Sequence, residues 1–186
     1  MASRPVNEVL DEARRMADRG YREIVITGVL VGAYGPDTGS SGPSLAGLLK
    51  QLAGVEGIER IRLSSIEPTQ VTDELLGVFA DEEKLCNHLH IPLQSGDTAI
   101  LNKMNRPYDQ TFYLNRCLEA KRLLPDVAIT SDIMVGFPGE DETAFAQTQF
   151  VAREVEFARA HIFRYSPRPG TPAAEMNDAV PEIVKD

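Results

Sequence analysis

The sequence has few of the features that assign a chain to a membrane or to a secreted class. No apolar run reaches the roughly 18 residues that a membrane-spanning helix requires. Residues 1–5 lack the apolar stretch of a signal peptide. Cysteine is scarce as well: the two present, Cys86 and Cys117, exclude a disulfide framework and indicate a reducing compartment. We therefore expect a cytoplasmic protein that has no contact with a membrane.

The chain has fewer positive than negative side chains, with 19 Lys and Arg residues and 28 Asp and Glu residues among 186. The formal net charge of −9 argues against a basic face of the kind that binds a nucleic-acid backbone. A nucleotide-like ligand, or a nucleic acid held by another domain, is compatible with this charge. We expect that the chain does not hold nucleic acid by itself.

The phosphate-binding fingerprints of the nucleotide-binding folds are missing too. The run GVLVG at 28–32 does not match G-x-G-x-x-G, and no G-x-x-x-x-G-K-[ST] is present. Five apolar strand patterns alternate with helical patterns, which predicts parallel strands joined by right-handed crossovers. These patterns lie at residues 23–29, 59–65, 88–93, 128–136 and 160–166. A doubly wound sheet and a barrel both satisfy this order, and the missing fingerprints favour the barrel. We predict one α/β domain over 1–186 whose strand order in space follows the sequence.

Polar or glycine-containing turns follow each predicted strand. Parallel α/β folds bind their ligands at the carboxyl ends of their strands, so turns of one kind at five strand ends predict a single shared ligand site. The candidate binding residues are Thr27 and Gly28, then Ser64, Ser65 and Glu67, then Gln94 and Ser95, then Asp132 and Gly136, and finally Arg168.

Each of these candidates also has a purely structural interpretation. Gln94 and Ser95 can reach the hydroxyls of a ligand, or they can belong to a turn that Gly96 shapes. Gly136 lets the backbone approach a planar ring closely because no Cβ intervenes, or it allows a tight strand-to-helix connection. Arg168 can meet a carboxylate, or it can be a solvated loop residue.

Histidine and cysteine give no convincing metal site. His88 and His90 share one face of a strand, but no third ligand is evident near them, and zinc normally takes three or four protein ligands. His161 can form a hydrogen bond inside a barrel, and we assign it no role. Cys117 and Cys86 are predicted to be core thiols, because free cysteine is among the most buried residue types.

Three local predictions follow from side-chain patterns. Ser3 is placed to cap the first helix. The strand at 23–29 is nearly unbroken in apolar character, which predicts burial on both faces. After the fourth strand, Phe145, Ala152 and Val155 are predicted to form the buried face of a helix.

Several runs along the chain carry a family resemblance, in the same order as in that family. They lie at 3–5, 23–28, 32–35, 60–68, 88–96, 104–106, 132–140 and 165–173. In these residues the chain resembles the core of the radical-SAM methylthiotransferases (MiaB-type enzymes). The residues at 28–35 and 63–68 are most similar to those of the subgroup that modifies threonylcarbamoyladenosine in tRNA.

The resemblance implies a partial parallel (β/α) barrel, S-adenosylmethionine (SAM) and iron–sulfur clusters. In this family an adenosyl radical abstracts hydrogen from an adenine carbon, and a methylthio group is inserted. SAM then becomes the expected ligand of the strand-end residues. An adenosine in the tRNA anticodon loop becomes the expected substrate, held through domains that this chain lacks.

The chain departs from the family at the cluster that generates the radical. That cluster needs three thiolates in C-x-x-x-C-x-x-C, in a loop that belongs just upstream of Ser3. Cys86 and Cys117 lie on different elements and cannot replace this motif. We expect a barrel that lacks its first strand, binds no 4Fe-4S cluster and is inactive alone. We also expect the strand at 23–29 to expose one edge and to cause self-association.

Two other functions stay open. The chain can be a non-catalytic module that binds a nucleoside or SAM. It can also be a closed aldolase-like enzyme, although no predicted strand contains the lysine that such an enzyme would use.

Overall fold

The computed structural model describes residues 2–35 and 43–185, in which helices and strands alternate. The strands are short, and the helices before and after them are amphipathic or apolar on one side. The helices are α1 (Val6–Asp18), α2 (Leu45–Ala53), α3 (Asp73–Asp81), α4 (Thr98–Lys103), α5 (Gln110–Leu123), α6 (Glu142–Val155) and α7 (Glu182–Lys185). The strands are β1 (Glu23–Ile26), β2 (Arg60–Leu63), β3 (His88–His90), β4 (Ala128–Val135) and β5 (Arg159–Arg164).

The strands form two partial sheets, with the orders β1-β2 and β3-β4-β5. Both β1 with β2 and β4 with β5 pair in parallel. Neighbours within each sheet are also neighbours in the sequence, which is the order that right-handed β-α-β units produce. The described residues form no closed barrel. The predicted α/β class with a partial parallel barrel is therefore confirmed.

Contacts between Cα atoms divide the chain into two compact units. The first unit comprises Met1–His90 with Ala120–Ala128, and the second comprises Ile91–Glu119 with Ile129–Asp186. Each unit has its own buried apolar side chains. In the first unit they include Leu49, Leu52, Ile58, Ile61, Leu63 and Leu76; in the second they include Leu93, Leu101, Tyr113, Cys117, Val151 and Val155.

Helix starts in both units follow ordinary capping chemistry. The side chains of Thr72, Asp97 and Asp141 accept hydrogen bonds from backbone N–H groups of α3, α4 and α6. The prediction that Ser3 caps the first helix is wrong. Pro5 stands at the N-cap of α1, and the Ser3 hydroxyl accepts a hydrogen bond of 3.2 Å from the Gly35 N–H instead.

The prediction that the first strand is buried on both faces is also wrong. Ile24 is buried, whereas Val25 is 56% exposed. Successive side chains of a strand point to opposite faces, and the described residues cover only one of them. At the start of the strand the Glu23 carboxylate accepts hydrogen bonds from Arg60 and Arg62 at 2.8 and 3.1 Å, which lowers the pKa of Glu23.

The second unit is held by a buried hydrogen-bond network. The Tyr113 hydroxyl donates to the Ile91 carbonyl at 2.7 Å and lies 3.3 Å from the Ser131 hydroxyl. Ser131 in turn accepts a hydrogen bond of 2.9 Å from the Leu93 N–H. Burial raises the pKa of Tyr113 well above its ordinary value, so the phenol stays a donor. The network joins α5 to β4 and to the segment after β3.

The buried face of α6 differs from the predicted one. Phe145 is exposed, and Ala152 is half-buried. Asp141 fixes the first turn of the helix by accepting from the Ala144 N–H at 2.8 Å. Val155 is buried as predicted, whereas Ala144 and Val151 are buried in place of their neighbours Phe145 and Ala152. The buried residues of α6 are Ala144, Thr148, Val151 and Val155.

Candidate functional site

The turn after β3 carries the first two candidates of the second unit. The Gln94 N–H donates to the Asp132 carbonyl at 2.9 Å, and the Gln94 carbonyl accepts from the Met134 N–H at 2.8 Å. Gln94 has a φ of 65°, a left-handed conformation that is costly for a residue other than glycine. Strain of this kind clusters at functional sites. Two backbone hydrogen bonds to β4 hold Gln94 in it.

Ser95 has a structural role in this turn. It is fully buried, and its hydroxyl accepts a hydrogen bond of 3.2 Å from the Asp97 N–H. The next residue must be glycine, because a Cβ on Gly96 would lie 2.5 Å from the Thr148 Cα. The structural interpretation of the turn therefore accounts for Ser95, whereas the side chain of Gln94 keeps its candidate role.

Asp132 lies on β4 directly opposite His161 on β5. The His161 Nδ1 lies 3.3 Å from the Asp132 Oδ1, with side chains that are 52% and 30% exposed. Along β4, Ile129, Ser131 and Ile133 are buried, and the residues between them are half-buried. The pair thus lies on the more open face of the sheet, where a ligand can reach it.

A tight turn begins at Gly136, directly after β4, and the side chains of Glu140 and Lys185 lie against it. It has a φ of 73°, and its N–H donates to the Glu140 carboxylate. Burial raises the pKa of Glu140, although the hydrogen bond from Gly136 opposes this effect. A Cβ on Gly136 would lie 2.6 Å from Cγ of Lys185, whose side chain is 4% exposed. The lysine stem therefore occupies the space that the missing Cβ leaves.

The segment that carries Lys185 is attached at more than one point of the second unit. The Gly139 N–H donates to the Asp178 carbonyl at 2.7 Å, and the Lys103 Nζ lies 3.5 Å from Oδ2 of Asp178. The Lys185 Nζ lies 3.5 Å from the Tyr165 carbonyl and 5.8 Å from the centre of the Tyr165 ring. These contacts place the end of the described chain against the turn that follows β4.

In the first unit, Thr27 and Gly28 follow β1 and are exposed. Both line a cavity of about 800 Å³ between α1, β1, the turn after β1 and α2. The walls of this cavity are largely apolar. Its lining includes Val9 and Met16 from α1, Val25 from β1 and Leu48 from α2.

The other candidates occupy turns in their own units. The Ser64 N–H donates to the Ile26 carbonyl at 2.9 Å, and Ser65 is exposed. Glu67 precedes a 3₁₀ turn, where its carbonyl accepts from Gln70 at 2.8 Å. Arg168 is exposed, and its carbonyl accepts from the Thr171 hydroxyl at 2.8 Å. One ligand site shared by all five strand ends stays a prediction.

Metal-binding residues do not cluster in residues 2–35 and 43–185, where no group of three His, Cys, Asp or Glu side chains could hold an ion. Cys117 is buried as predicted, whereas Cys86, also predicted to be a core thiol, is only half-buried; neither forms a disulfide. A cluster held by three thiolates does not fit these two cysteines. In the same part of the chain, no helix is long and apolar enough to cross a membrane.

The sequence of residues 1–150 matches the model of the radical SAM superfamily. The chain belongs to this superfamily. It is 46% identical over 187 residues to the threonylcarbamoyladenosine tRNA methylthiotransferase MtaB of Bacillus subtilis (strain 168), covering 100% of this chain and 41% of the relative. It is 44% identical to the tRNA-2-methylthio-N(6)-dimethylallyladenosine synthase of Acetivibrio thermocellus, covering 98% of this chain and 38% of the relative. The chain thus spans about two fifths of the length of these relatives.

Solved structures support the fold. The radical S-adenosylmethionine methyltransferase TsrM from Kitasatospora setae superposes with a TM-score of 0.72 at 14% identity, over 92% of this chain and 33% of TsrM. Coproporphyrinogen III oxidase (HemN) from Escherichia coli, a radical SAM enzyme, gives 0.68 at 16% identity, over 97% of this chain and 43% of HemN. The predicted resemblance to radical-SAM methylthiotransferases is confirmed.

Sequence reasoning missed three groups near the strand ends of the second unit. His161 received no role, although its strand was predicted to run parallel to that of Asp132. Glu140 and Lys185 were not candidates either. Each depends on a contact over a turn or across a sheet, so the signal available in the sequence was only the residue type.

Proposed function

We propose that this chain is the SAM-binding part of a tRNA methylthiotransferase. The observation that carries the proposal is the half-open polar face at β4, where Asp132 lies beside the turn of Gln94. Its support is the identity of 44–46% to tRNA methylthiotransferases across nearly the whole chain. The backbones of Gln94 and Asp132 are in contact, and a carboxylate together with a carboxamide suits a ligand with an ammonium group and ribose hydroxyls.

In this proposal the donors and acceptors of the second unit bind the cofactor. The Asp132 carboxylate accepts from the hydroxyls or the ammonium group of SAM, and the Gln94 amide adds a donor and an acceptor. Gly136 stays a predicted contact of the adenine ring, but the ring can approach its backbone only once the Lys185 stem has moved away. Ser95 supports the turn. The other residues predicted from the sequence to bind a ligand stay predictions; they are Thr27, Gly28, Ser64, Ser65, Glu67 and Arg168. When SAM is bound in this family, it supplies the adenosyl radical.

We further propose that this chain alone binds SAM without radical chemistry. Two separated cysteines cannot supply three thiolates to one cluster. Alone, it would act as the non-catalytic binding module named above, and the 4Fe-4S cluster would belong to the full-length parent. A cytoplasmic location is part of the same proposal, because neither cysteine forms a disulfide.

The substrate of the parent is proposed to be a hypermodified adenosine in the tRNA anticodon loop. The relative from Bacillus subtilis is a threonylcarbamoyladenosine tRNA methylthiotransferase. The residues at 28–35 and 63–68 favour the same nucleoside as the substrate. With a net charge of −9, this chain does not offer the basic face that tRNA requires. The tRNA would be held by regions outside the matched two fifths of such a protein.

Self-association through β1 is a separate proposal about the chain alone. In the described residues β1 pairs with β2 in a two-stranded sheet, and an apolar edge strand can pair with another chain. Light scattering over a concentration series tests it.

Isothermal titration of the purified chain with SAM tests the cofactor proposal. We expect binding, and a loss of about tenfold or more in affinity for Asp132→Ala and Gln94→Ala, because each removes hydrogen bonds to a charged or polar ligand. Glu154→Gln on the exposed face of α6 is the control and should bind as the unsubstituted chain does. Absence of binding by the unsubstituted chain would overturn the proposal.

Reconstitution of the chain with iron and sulfide should yield no stoichiometric cluster. About four irons per chain would contradict the proposal that this chain alone binds no cluster.

A further inference from the structure

The Asp132–His161 pair is built by the strand register of the second unit. Asp132 and His161 are direct partners in the parallel pairing of β4 with β5. Their side chains therefore leave the sheet at the same place and on the same face. The Nδ1 of the imidazole lies 3.3 Å from Oδ1 of the carboxylate, within hydrogen-bond distance.

The backbone of Asp132 is fixed independently of this pair. Its carbonyl accepts hydrogen bonds from the N–H groups of Leu93 and Gln94 at 3.2 and 2.9 Å. These backbone hydrogen bonds do not fix the side-chain torsions of Asp132. A hydrogen bond to one carboxylate oxygen removes that freedom and presents the other oxygen in a defined direction.

The chemistry of the two groups decides which of them donates the hydrogen bond. An ionised carboxylate can only accept, so the His161 Nδ1 must carry the proton that lies between them. The imidazole is 52% exposed and the carboxylate 30%, so neither is sealed off from a ligand. On the same face, Phe163 follows His161 by two residues and Arg159 precedes it by two.

We propose that His161 is a positioning residue, which orients the Asp132 carboxylate so that its second oxygen can bind the ligand. The inference rests on the proposed function for the identity of that ligand, SAM. His161 itself does not touch the ligand in this arrangement. The orientation of a ligand-binding carboxylate by a neighbouring hydrogen bond is the general role of a second shell of residues.

Titration with SAM separates this role from a merely structural one. His161→Ala should weaken binding by about tenfold, the lower end of the effect of losing an orienting partner. His161→Asn should recover most of the affinity, because its Nδ2–H can take the place of the imidazole Nδ1–H. Ile162→Ala is the matched control, since its side chain is 67% exposed and points to the opposite face. Unchanged affinity for His161→Ala, or equal losses for His161→Ala and His161→Asn, would overturn the inference.

A second readout does not depend on any ligand. The ¹⁵N shifts of the imidazole show which nitrogen carries the proton, and His161→Asn assigns the signal among the three histidines. We expect the Nδ1–H form, which should give way to the Nε2–H form in Asp132→Ala. Absence of SAM binding by the unsubstituted chain overturns the proposed function and with it the role of His161. SAM binding together with an Nε2–H ring overturns only the inference.

Discussion

Strands β1 and β4 show how differently two similar strand-and-turn segments can end. Both are rich in β-branched residues, and both lead into a glycine that follows the strand. Beside β1 the structure has an apolar cavity of about 800 Å³, and Val25 lines it. On β4, residues buried in the core alternate with half-buried ones, and Asp132 meets a histidine there. The side chains within a strand, more than the turn after it, therefore distinguish these two strand ends.

The outer strands of the two sheets differ in the same way. β5 stands at the edge of its sheet and carries Arg159 and Arg164 at its two ends. β1 carries one charge, Glu23, which already pairs with Arg60 and Arg62. Charged side chains protect an edge strand from pairing with other chains. The proposed self-association is therefore predicted at β1 and not at β5.

The largest effect is expected from the core of the second unit. Tyr113→Ala should lower the free energy of unfolding by about 3–5 kcal/mol, because it leaves a cavity where a fully buried ring lay. Tyr113→Phe should cost about 1–3 kcal/mol, because the Ile91 carbonyl loses its donor. Urea unfolding followed by circular dichroism measures both. Leu52→Ala, at an equally buried position, gives the matching value for the first unit. A loss below about 1 kcal/mol for Tyr113→Ala would contradict the network described for the second unit.

A smaller effect is expected at Gly136, with Gly20 as its counterpart in the first unit. Both have a positive φ, 73° and 88°, so alanine at either should cost about 1–2 kcal/mol in backbone strain. A Cβ at Gly20 meets nothing within 4 Å, whereas at Gly136 it must displace Lys185. Thermal unfolding should therefore show Gly136→Ala to be the more destabilised variant. In a Lys185→Ala background the two glycine substitutions should become equal. A difference that persists there would show that the lysine stem is not the cause.

Substitutions on the two outer strands test the difference in association. Val25→Lys and Ile162→Lys both place a charge at an exposed apolar position, so each should change stability by no more than about 0.5 kcal/mol. Light scattering over a concentration series should show association of the unsubstituted chain. Val25→Lys should reduce it and Ile162→Lys should not. If the unsubstituted chain is a monomer at every concentration, the proposed self-association through β1 is wrong.

The smallest effect concerns the pH dependence of stability and belongs to the second unit. Burial raises the pKa of Glu140 above 4.5, so ionisation of this carboxyl is less favourable in the folded chain than in the unfolded one. Its contribution to stability is therefore complete below the unfolded pKa and is lost as the pH rises through the raised value. Glu140→Gln keeps an acceptor for the Gly136 N–H and cannot ionise. The melting temperature of the variant relative to the unsubstituted chain should increase as the pH rises from about 4 to about 7. A constant difference would show that Glu140 ionises freely.

Local patterns predicted the elements well and the contacts between them less well. The alternation of helices and strands, the parallel pairing and the turns after the strands follow from periodicity and from glycine and proline placement. The exposure of Val25 and the true partner of Ser3 did not follow, because each depends on what lies far away in the sequence. Phe145 was also predicted wrongly, because the smaller Ala144 beside it is the residue that packs inward, and the larger Phe145 side chain stays exposed.

The sequence by itself determined the family, the fold class and the order of the strands, because these rest on residue types and spacings that act locally. Only the tertiary structure decided that Asp132 meets His161 and that Lys185 covers Gly136. A pairing between strands depends on their register, and a slip of one residue would send every side chain to the other face. That register is set by the packing of the whole second unit, which no local stretch of sequence contains.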